Sequence, residues 1–178
     1  MIKAVFFDRD GTLIYDYGYL SDPAKVRPYK CAKNALKLLA KAGYHFFIVS
    51  NQSGIGRGYF SKDKAHAVNT RLCNLLKPIH FDEIVFCPHA PEDKCTCRKP
   101  LPKLGKQLIK KYHVDASRSF MIGDKKSDVE FGHNIGCKSI LVQTANGKKH
   151  LKKYPGLKPD FIAADLLRAA RFICKENA

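Results

Sequence analysis

The sequence lacks long apolar runs, repeats and low-complexity segments. No run approaches the roughly 18 apolar residues that a membrane-spanning helix needs, which argues against a membrane protein. The opening residues 1–7 are too short for a signal peptide before Asp8 and Arg9 interrupt them, so we expect a cytoplasmic protein. Because no linker-like segment divides the chain, we expect one domain over residues 1–178.

Acidic residues are scarce, with 16 Asp and Glu against 32 Lys and Arg, for a net charge of +16. An excess of this size is explained either by an anionic partner or by lysine-rich faces exposed to water. The basic residues are scattered and form no stripe with interleaved aromatics. We therefore expect no nucleic-acid partner, although nucleic-acid binding remains the alternative from a different functional class.

Seven cysteines are present, an odd number whose uneven spacing does not suggest a disulfide framework. In a cytosolic protein, clustered cysteines favour a metal site. The stretch "CPHAPEDKCTCRKP" has the spacing Cys87-x-His89-x5-Cys95-x-Cys97. Three thiolates and an imidazole suit a closed, structural Zn²⁺ site, with an iron–sulfur site or a reduced cluster as alternatives. We call residues 87–100 the zinc loop.

The other four cysteines lie in helical patterns or near a strand start, and we expect small buried apolar side chains at Cys31, Cys73, Cys137 and Cys174.

Apolar runs alternate with amphipathic patterns along the chain. The runs predict strands over 2–7, 44–50, 83–87, 119–123 and 139–143. The patterns predict helices over 31–43, 61–77, 102–113, 127–136 and 163–176, with Ser61 as an N-cap. Alternating strands and helices predict an α/β fold of the Rossmann type, with a mainly parallel sheet flanked by helices.

Polar groups follow four of the predicted strands at the point where each strand ends: Asp8 and Asp10, Ser50 and Asn51, Cys87, and Asp124. In open α/β sheets, ligands bind beyond the carboxyl ends of the strands. The sequence therefore predicts a functional site at this edge.

The stretch "FFDRDGTL" places two aspartates directly after a buried strand and before Gly11, which permits a sharp turn. It resembles motif I of the haloacid dehalogenase (HAD) superfamily of phosphohydrolases. Ser50 resembles motif II, Lys99 motif III and "GDKKSD" (123–128) motif IV. The four motifs occur in order and span most of the chain, so the resemblance implies a HAD-like phosphatase fold.

The resemblance also implies residue roles. Asp8 would be the nucleophile that forms an aspartyl-phosphate, and Asp10 the general acid and then the base. Ser50 and Lys99 would stabilise the transferring phosphoryl group. Asp8, the Asp10 backbone carbonyl and Asp124 would hold Mg²⁺.

A zinc-braced loop would hold Arg98 and Lys99 at the catalytic pocket, with zinc as a structural ion. Asp128 is expected to support the residues that hold the metal and the phosphate, without being one of the metal ligands itself. No long insertion that could form a large cap domain lies between the motifs, so we expect an open site for a soluble phosphate ester. We also expect no membrane partner and a monomeric chain.

Two branches of the superfamily share a zinc loop of this kind: the heptose 1,7-bisphosphate 7-phosphatases of ADP-heptose and lipopolysaccharide biosynthesis, and the histidinol-phosphate phosphatases. "DYGYL" (16–20), "NQSGIGRGYF" (51–60) and "GDK" (123–125) resemble the heptose branch. That branch implies a phosphorylated sugar as substrate, bound by Asp16, Tyr17, Gly18, Tyr19, Asn51, Gln52, Ser53, Arg98 and Lys125. "RKPLPK" departs from the family's usual RKPxPG, and a DNA 3′-phosphatase is a further alternative.

Overall fold

The protein is described here from a computed structural model that covers residues 1–176. Six strands form one sheet in the order β3-β2-β1-β4-β5-β6, and every neighbouring pair is parallel. The predicted parallel sheet is therefore confirmed. The order is that of doubly wound α/β proteins, in which the direction of winding reverses between β1 and β4.

The strands are β1 (Ala4–Phe7), β2 (His45–Asn51), β3 (Glu83–Cys87), β4 (Phe120–Gly123), β5 (Lys138–Val142) and β6 (Phe161–Ala163). The helices are α1 (Ala32–Lys41), α2 (Ser53–Gly56), α3 (Lys62–Leu76), α4 (Lys103–Tyr112), α5 (Lys126–Asn134), α6 (Gly147–Lys153) and α7 (Leu166–Glu176). Short 3₁₀ turns cover Pro23–Lys25, Pro91–Asp93 and Ala116–Arg118. None of the helices within residues 1–176 has the length and apolar character required to cross a bilayer.

The central strand β1 has the sequence AVFF, and all of its residues are buried. A continuous apolar run of this kind is expected where helices cover both faces of a parallel sheet. On one face, α1, α3 and α7 pack against side chains such as Phe7 and Ile48. On the other face, α4 and α5 pack against Phe6 and Phe47, whose rings stack at 5.2 Å. The sheet is thus fixed from both sides.

Most predicted elements agree with the structure to within about two residues. The predicted cap is present, because the Ser61 hydroxyl accepts the backbone N–H of Lys64. Three elements were missed: α2, α6 and β6. Helix α6 reads "GKKHLKK" and has no apolar stripe, whereas β6 is only three residues long, so neither has a periodic signal.

The prediction that the four remaining cysteines are buried is only partly confirmed. Cys137 is buried, but Cys31, Cys73 and Cys174 are half-buried and pack against the edge of the core. Cys31 immediately precedes α1, whereas Cys73 and Cys174 lie on α3 and α7, and a helix buries one face only.

Candidate active site

The predicted polar groups meet at the carboxyl edge of the sheet, around the switch point between β1 and β4. A cavity of about 260 Å³ opens there. The predicted site residues that line it are Asp8, Asp10, Asp16, Gly18, Tyr19, Ser50, Asn51, Gln52, Ser53, Arg98, Lys99 and Lys125. Ser127 and Asp128 line it as well. Side chains from distant parts of the sequence therefore line the same cavity.

Lys99 is buried beside the first of these carboxylates. Its Nζ lies 2.8 Å from Asp8 Oδ1 and 2.7 Å from Asp128 Oδ1, and it donates to the Val49 carbonyl at 2.6 Å. Two carboxylates and a strand-end carbonyl therefore satisfy the ammonium group, which cannot turn away without leaving a buried charge unpaired.

The buried cations determine which carboxylates stay ionised. Burial alone would raise the pKa of Asp8, but Lys99 and Lys125 outweigh it and hold that pKa below the ordinary value. Burial opposes the charge on Lys99 too, yet Asp128 and Asp8 raise its pKa. The Asp8 carboxylate is therefore ionised at neutral pH, the state in which a carboxylate oxygen can act as a nucleophile.

Asp124 differs from Asp8, because its carboxylate forms no ion pair with a lysine among residues 1–176. Burial, followed by repulsion from Asp8 and Asp128 and only partly offset by Lys125, raises the pKa of Asp124 to about 7. The backbone and side-chain amides of Asn146 both donate to Oδ2, at 3.0 and 2.9 Å. Within residues 1–176, the buried Oδ1 has no hydrogen-bond partner.

These features fit a bound divalent cation. Oxygens of Asp8, Asp124 and Asp128 lie within 4.8 Å of one another. Clustered carboxylate oxygens suit Mg²⁺, which would offset their repulsion and bond the unpaired Oδ1 of Asp124. The side chain of Asp10 lies outside this group, which is compatible with the predicted backbone ligand.

Gly11 allows this approach between the ends of β1 and β4. Its φ is +91°, and a Cβ at this position would lie 2.5 Å from Asp124 Oδ2. Only glycine combines that backbone conformation with the space that the carboxylate occupies. The glycine of the DxDGT motif is therefore needed for the geometry of the acidic cluster.

Asp10 lines the cavity and belongs to a separate hydrogen-bond network. Arg9 contacts both Asp10 oxygens, through Nε at 3.0 Å and Nη2 at 3.2 Å. Gln52 Nε2 donates to Asp10 Oδ2 at 3.0 Å and to the Ser50 hydroxyl at 2.5 Å. The predicted acid–base residue and the predicted phosphate-binding serine are thus joined through one amide.

The four residues predicted to bind zinc converge. Cys97 Sγ lies 3.1 Å from Cys87 Sγ and 3.7 Å from Cys95 Sγ, and His89 Nδ1 lies 3.3 Å from Cys97 Sγ. Tetrahedral zinc with Zn–S bonds of about 2.3 Å would separate neighbouring sulfurs by roughly 3.7 Å. Burial, and then the neighbouring Cys97 thiol, raises the pKa of Cys87, whereas at Cys95 burial is outweighed by backbone and side-chain hydrogen bonds, which lower the pKa of that thiol. The set fits Zn²⁺ in size and donor chemistry.

The zinc loop is tied to the rest of the site on both sides. The backbone N–H of Gly56 donates to the Pro88 carbonyl at 2.7 Å, and Arg57 pairs with Glu92 at 2.9 Å. At the other end of the loop, the Asn51 side chain bonds both the N–H and the carbonyl of Lys99, at 2.9 and 3.1 Å. The loop therefore determines where the backbone of Lys99 lies.

The tyrosines of the predicted substrate loop differ in position. Tyr19 lines the cavity with a left-handed φ of +33° and packs edge-on against Tyr59, with ring centroids 4.8 Å apart. Tyr15 packs on Tyr29. Tyr17 is 58% exposed and does not line the cavity, so its predicted contact with the substrate stays a prediction.

Three residues with a structural part in the site were not predicted: Arg9, Asn69 and Asn146. Arg9 had a signal, because it separates the two motif aspartates and any large side chain there must be buried with them. Asn69 lies mid-helix in α3 and Asn146 in a turn, and nothing in the local pattern distinguishes either from a surface amide.

His150 supports the turn that carries Asp124. Its Nδ1 accepts the backbone N–H of Lys126, the first residue of α5, at 2.9 Å. Burial, followed by the nearby charge of Lys125, lowers the pKa of His150 below its ordinary value of 6.5. The folded state thus binds fewer protons here than the unfolded chain, so this contribution to stability is present above pH 6.5 and is lost as pH falls below it.

We therefore expect the substitution His150→Gln, which keeps an acceptor, to weaken the acid sensitivity of folding. Urea unfolding at about pH 5 and about pH 8 measures this for the wild type and the variant. The exposed His80→Gln is the matched control and should behave as the wild type does. Identical pH dependence in all three proteins would remove His150 from this role.

A parallel sheet of this order, with a DxD pair at the end of β1 and a buried lysine and aspartates at the neighbouring strand ends, defines a HAD-like phosphohydrolase. The family model for HAD-hydrolase-like proteins matches residues 96–169.

Curated relatives resemble the chain over most of its length. The D-glycero-β-D-manno-heptose-1,7-bisphosphate 7-phosphatase of Helicobacter pylori J99 is 43% identical over 83% of this chain and 86% of its own. The Haemophilus influenzae enzyme of the same name is 40% identical over 81% and 83%. The D,D-heptose 1,7-bisphosphate phosphatase of B. bronchiseptica, solved with magnesium and phosphate, superposes with a TM-score of 0.90 at 31% identity over 98% of this chain and 99% of its own. The chain belongs to the heptose-1,7-bisphosphate 7-phosphatase family.

Proposed function

We propose that the protein is a Mg²⁺-dependent phosphomonoesterase that removes the C7 phosphate of D-glycero-D-manno-heptose 1,7-bisphosphate, in the formation of ADP-heptose. The main support for the proposal is the ionised Asp8 carboxylate, which pairs with the buried Lys99 in the wall of an open cavity. The names of the relatives supply the substrate.

In the first half-reaction, an Asp8 carboxylate oxygen attacks phosphorus and forms an O–P bond. The bond between phosphorus and the sugar oxygen breaks, and the proton of the Asp10 carboxyl group moves to that oxygen. Lys99 lies within bonding distance of Asp8 and offsets the negative charge that builds up on the phosphoryl group. The products are heptose 1-phosphate and an aspartyl-phosphate on Asp8.

In the second half-reaction, the Asp10 carboxylate takes a proton from water, whose oxygen attacks phosphorus. The Asp8–phosphorus bond breaks, which restores the Asp8 carboxylate and releases inorganic phosphate. Asp10 carries a proton again and is ready for the next cycle. One pair of aspartates thus serves both halves.

In this proposal the protein binds two metal ions. Asp8 and Asp124 would hold Mg²⁺, with the Asp10 carbonyl as a further ligand and Asp128 behind it. When bound, Mg²⁺ reduces the repulsion between an anionic nucleophile and an anionic phosphate. Cys87, His89, Cys95 and Cys97 would hold Zn²⁺ as a structural ion.

Two cations remain for the rest of the substrate. Arg98 lines the cavity, and its Nη1 donates to the His89 carbonyl at 3.2 Å. Lys125 lines it from the opposite strand end, beside Asp16 at 3.4 Å. A bisphosphorylated sugar has a second anionic group for these side chains, and we propose Asp16, Gly18, Tyr19 and residues 51–53 as its hydroxyl contacts.

Histidinol phosphate and a 3′-phosphorylated DNA end are the alternative substrates. The open cavity admits each phosphate ester, but the relatives carry the heptose name. We further propose that the chain acts as a monomer without nucleic acid, and that it works in the cytoplasm, where reducing conditions keep zinc-binding thiolates intact. Residues 1–178 form one domain in this proposal.

Phosphate release from the three substrates tests the proposal. With Mg²⁺ present, we expect fastest turnover of the heptose bisphosphate, with the C1 phosphate retained in the product by ³¹P spectra. Removal of Mg²⁺, with the zinc content monitored, should stop the reaction, and added Mg²⁺ should restore it. Higher kcat/KM on histidinol phosphate or on the oligonucleotide would reassign the substrate.

A further inference from the structure

Arg9 is a buried cation that stands beside the reaction site without facing it. Its side chain is 1% exposed and does not line the cavity. A buried guanidinium is costly unless its donors are satisfied, so its partners indicate what its position serves.

The Arg9 guanidinium has three side-chain partners, and Asp10 is the one that it contacts through both oxygens. Besides the two-pronged contact with both Asp10 oxygens, Nη1 donates to Asn69 Oδ1 at 2.9 Å and Nη2 to Gln52 Oε1 at 3.0 Å. A planar fork that bonds both carboxylate oxygens restricts rotation of the carboxylate as well as its distance. Asn69 is itself buried on α3 and holds the far end of the fork.

The contact with Gln52 also determines which way the Gln52 side-chain amide is oriented. Because Gln52 Oε1 accepts from Arg9, its Nε2 must donate, and it does so to Asp10 and to the Ser50 oxygen. The Ser50 oxygen thus acts as an acceptor from Gln52, which leaves the hydroxyl proton to be donated into the cavity. The Arg9 side chain therefore influences two groups at the phosphoryl site although it does not itself line the cavity.

We propose that Arg9, held in place by Asn69, is a positioning residue that fixes the Asp10 carboxyl group for proton transfer to the leaving oxygen. The inference deepens the proposed function and rests on it. Loss of Asn69 removes the acceptor for Nη1, leaves a buried donor unpaired and loosens the fork. The proton transfer should suffer more than the attack on phosphorus.

Leaving groups of different basicity separate these two effects. A sugar alkoxide must be protonated as it leaves, whereas p-nitrophenolate leaves without a proton. The value of kcat/KM reports the steps up to formation of the aspartyl-phosphate, so the second proton transfer does not enter it. We expect Asn69→Ala to lower kcat/KM for the sugar phosphate about tenfold more than for p-nitrophenyl phosphate. The substitution Asn69→Asp, which keeps the acceptor, should restore the wild-type ratio.

Asn74→Ala, an exposed asparagine on the same helix, is the matched control, and thermal unfolding confirms that each variant is folded. If Asn69→Ala does not fold, Arg9→Lys replaces it, since lysine keeps the buried charge but cannot form the fork. Equal losses on both substrates, or no loss on the sugar phosphate, would overturn the inference.

Asp10→Asn serves as the reference. If it discriminates between the leaving groups but neither Asn69→Ala nor Arg9→Lys does, only the positioning role fails. If Asp10→Asn itself does not discriminate, the acid role of Asp10 in the proposed function fails.

Discussion

Asp8→Asn should reduce turnover by at least about 10⁴-fold while the fold survives, because a carboxamide cannot attack phosphorus. The amide fills the same space, and Lys99 keeps Asp128 at 2.7 Å as a partner for its charge. The substitution also removes one of three crowded carboxylates. Phosphate release measures the loss, and thermal unfolding checks the fold.

The control is Asp63→Asn, which changes an exposed aspartate at the start of α3 and should retain full activity. A brief reaction quenched in acid should show a phosphorylated wild-type protein and none for Asp8→Asn. A near-normal rate in Asp8→Asn would remove Asp8 as the nucleophile.

Cys95→Ser should lower the rate on the order of 10²-fold, although no zinc ligand contacts the substrate, because a misplacement of about 1 Å at a catalytic group has an effect of this size. Arg98 and Lys99 directly follow Cys97, so loss of the metal should loosen both cations together. KM should therefore rise as kcat falls, and added Zn²⁺ should not restore the variant. Metal analysis and steady-state kinetics measure these effects.

The half-buried Cys73 on α3 lies outside the zinc loop, so Cys73→Ser controls for the loss of a thiol and should keep its zinc and its rate. Lys99→Ala shows how much of the loss the lysine itself explains. Full activity in zinc-free Cys95→Ser would show that the metal does not brace the site.

The features that could be predicted from the sequence are those that depend on residues close together in the chain. The apolar run of β1, the DxDGT turn and the spacing from Cys87 to Cys97 each leave a pattern within a dozen residues. Strand alternation then placed Ser50 and Asp124 at the same edge, because parallel strands end together. In the structure Ser50 lines the cavity, and Asp124 belongs to the acidic cluster, whose members Asp8 and Asp128 line it too.

The features that were missed depend on contacts between distant segments. Asn69 becomes informative only when α3 lies beside β1, and Asn146 only when its turn reaches Asp124. The left-handed backbone at Tyr19 is likewise a feature that a residue pattern does not determine. A single sequence indicates which residues are unusual, but not which amide bonds which carboxylate.

The strand order has a consequence for biosynthesis. The central pair β1 and β4 joins distant segments, as the bond from the Ala4 N–H to the Ser119 hydroxyl across 115 positions illustrates. The contacts among Cys87, His89, Cys95 and Cys97 instead close over separations of 10 or less, and loops of about 10 residues close within roughly 100 ns. A nascent chain can therefore bring these four side chains together as soon as Cys97 leaves the ribosome. The acidic cluster, by contrast, cannot form before β4 has emerged and paired, so the four candidate zinc ligands would be in place before the candidate magnesium ligands.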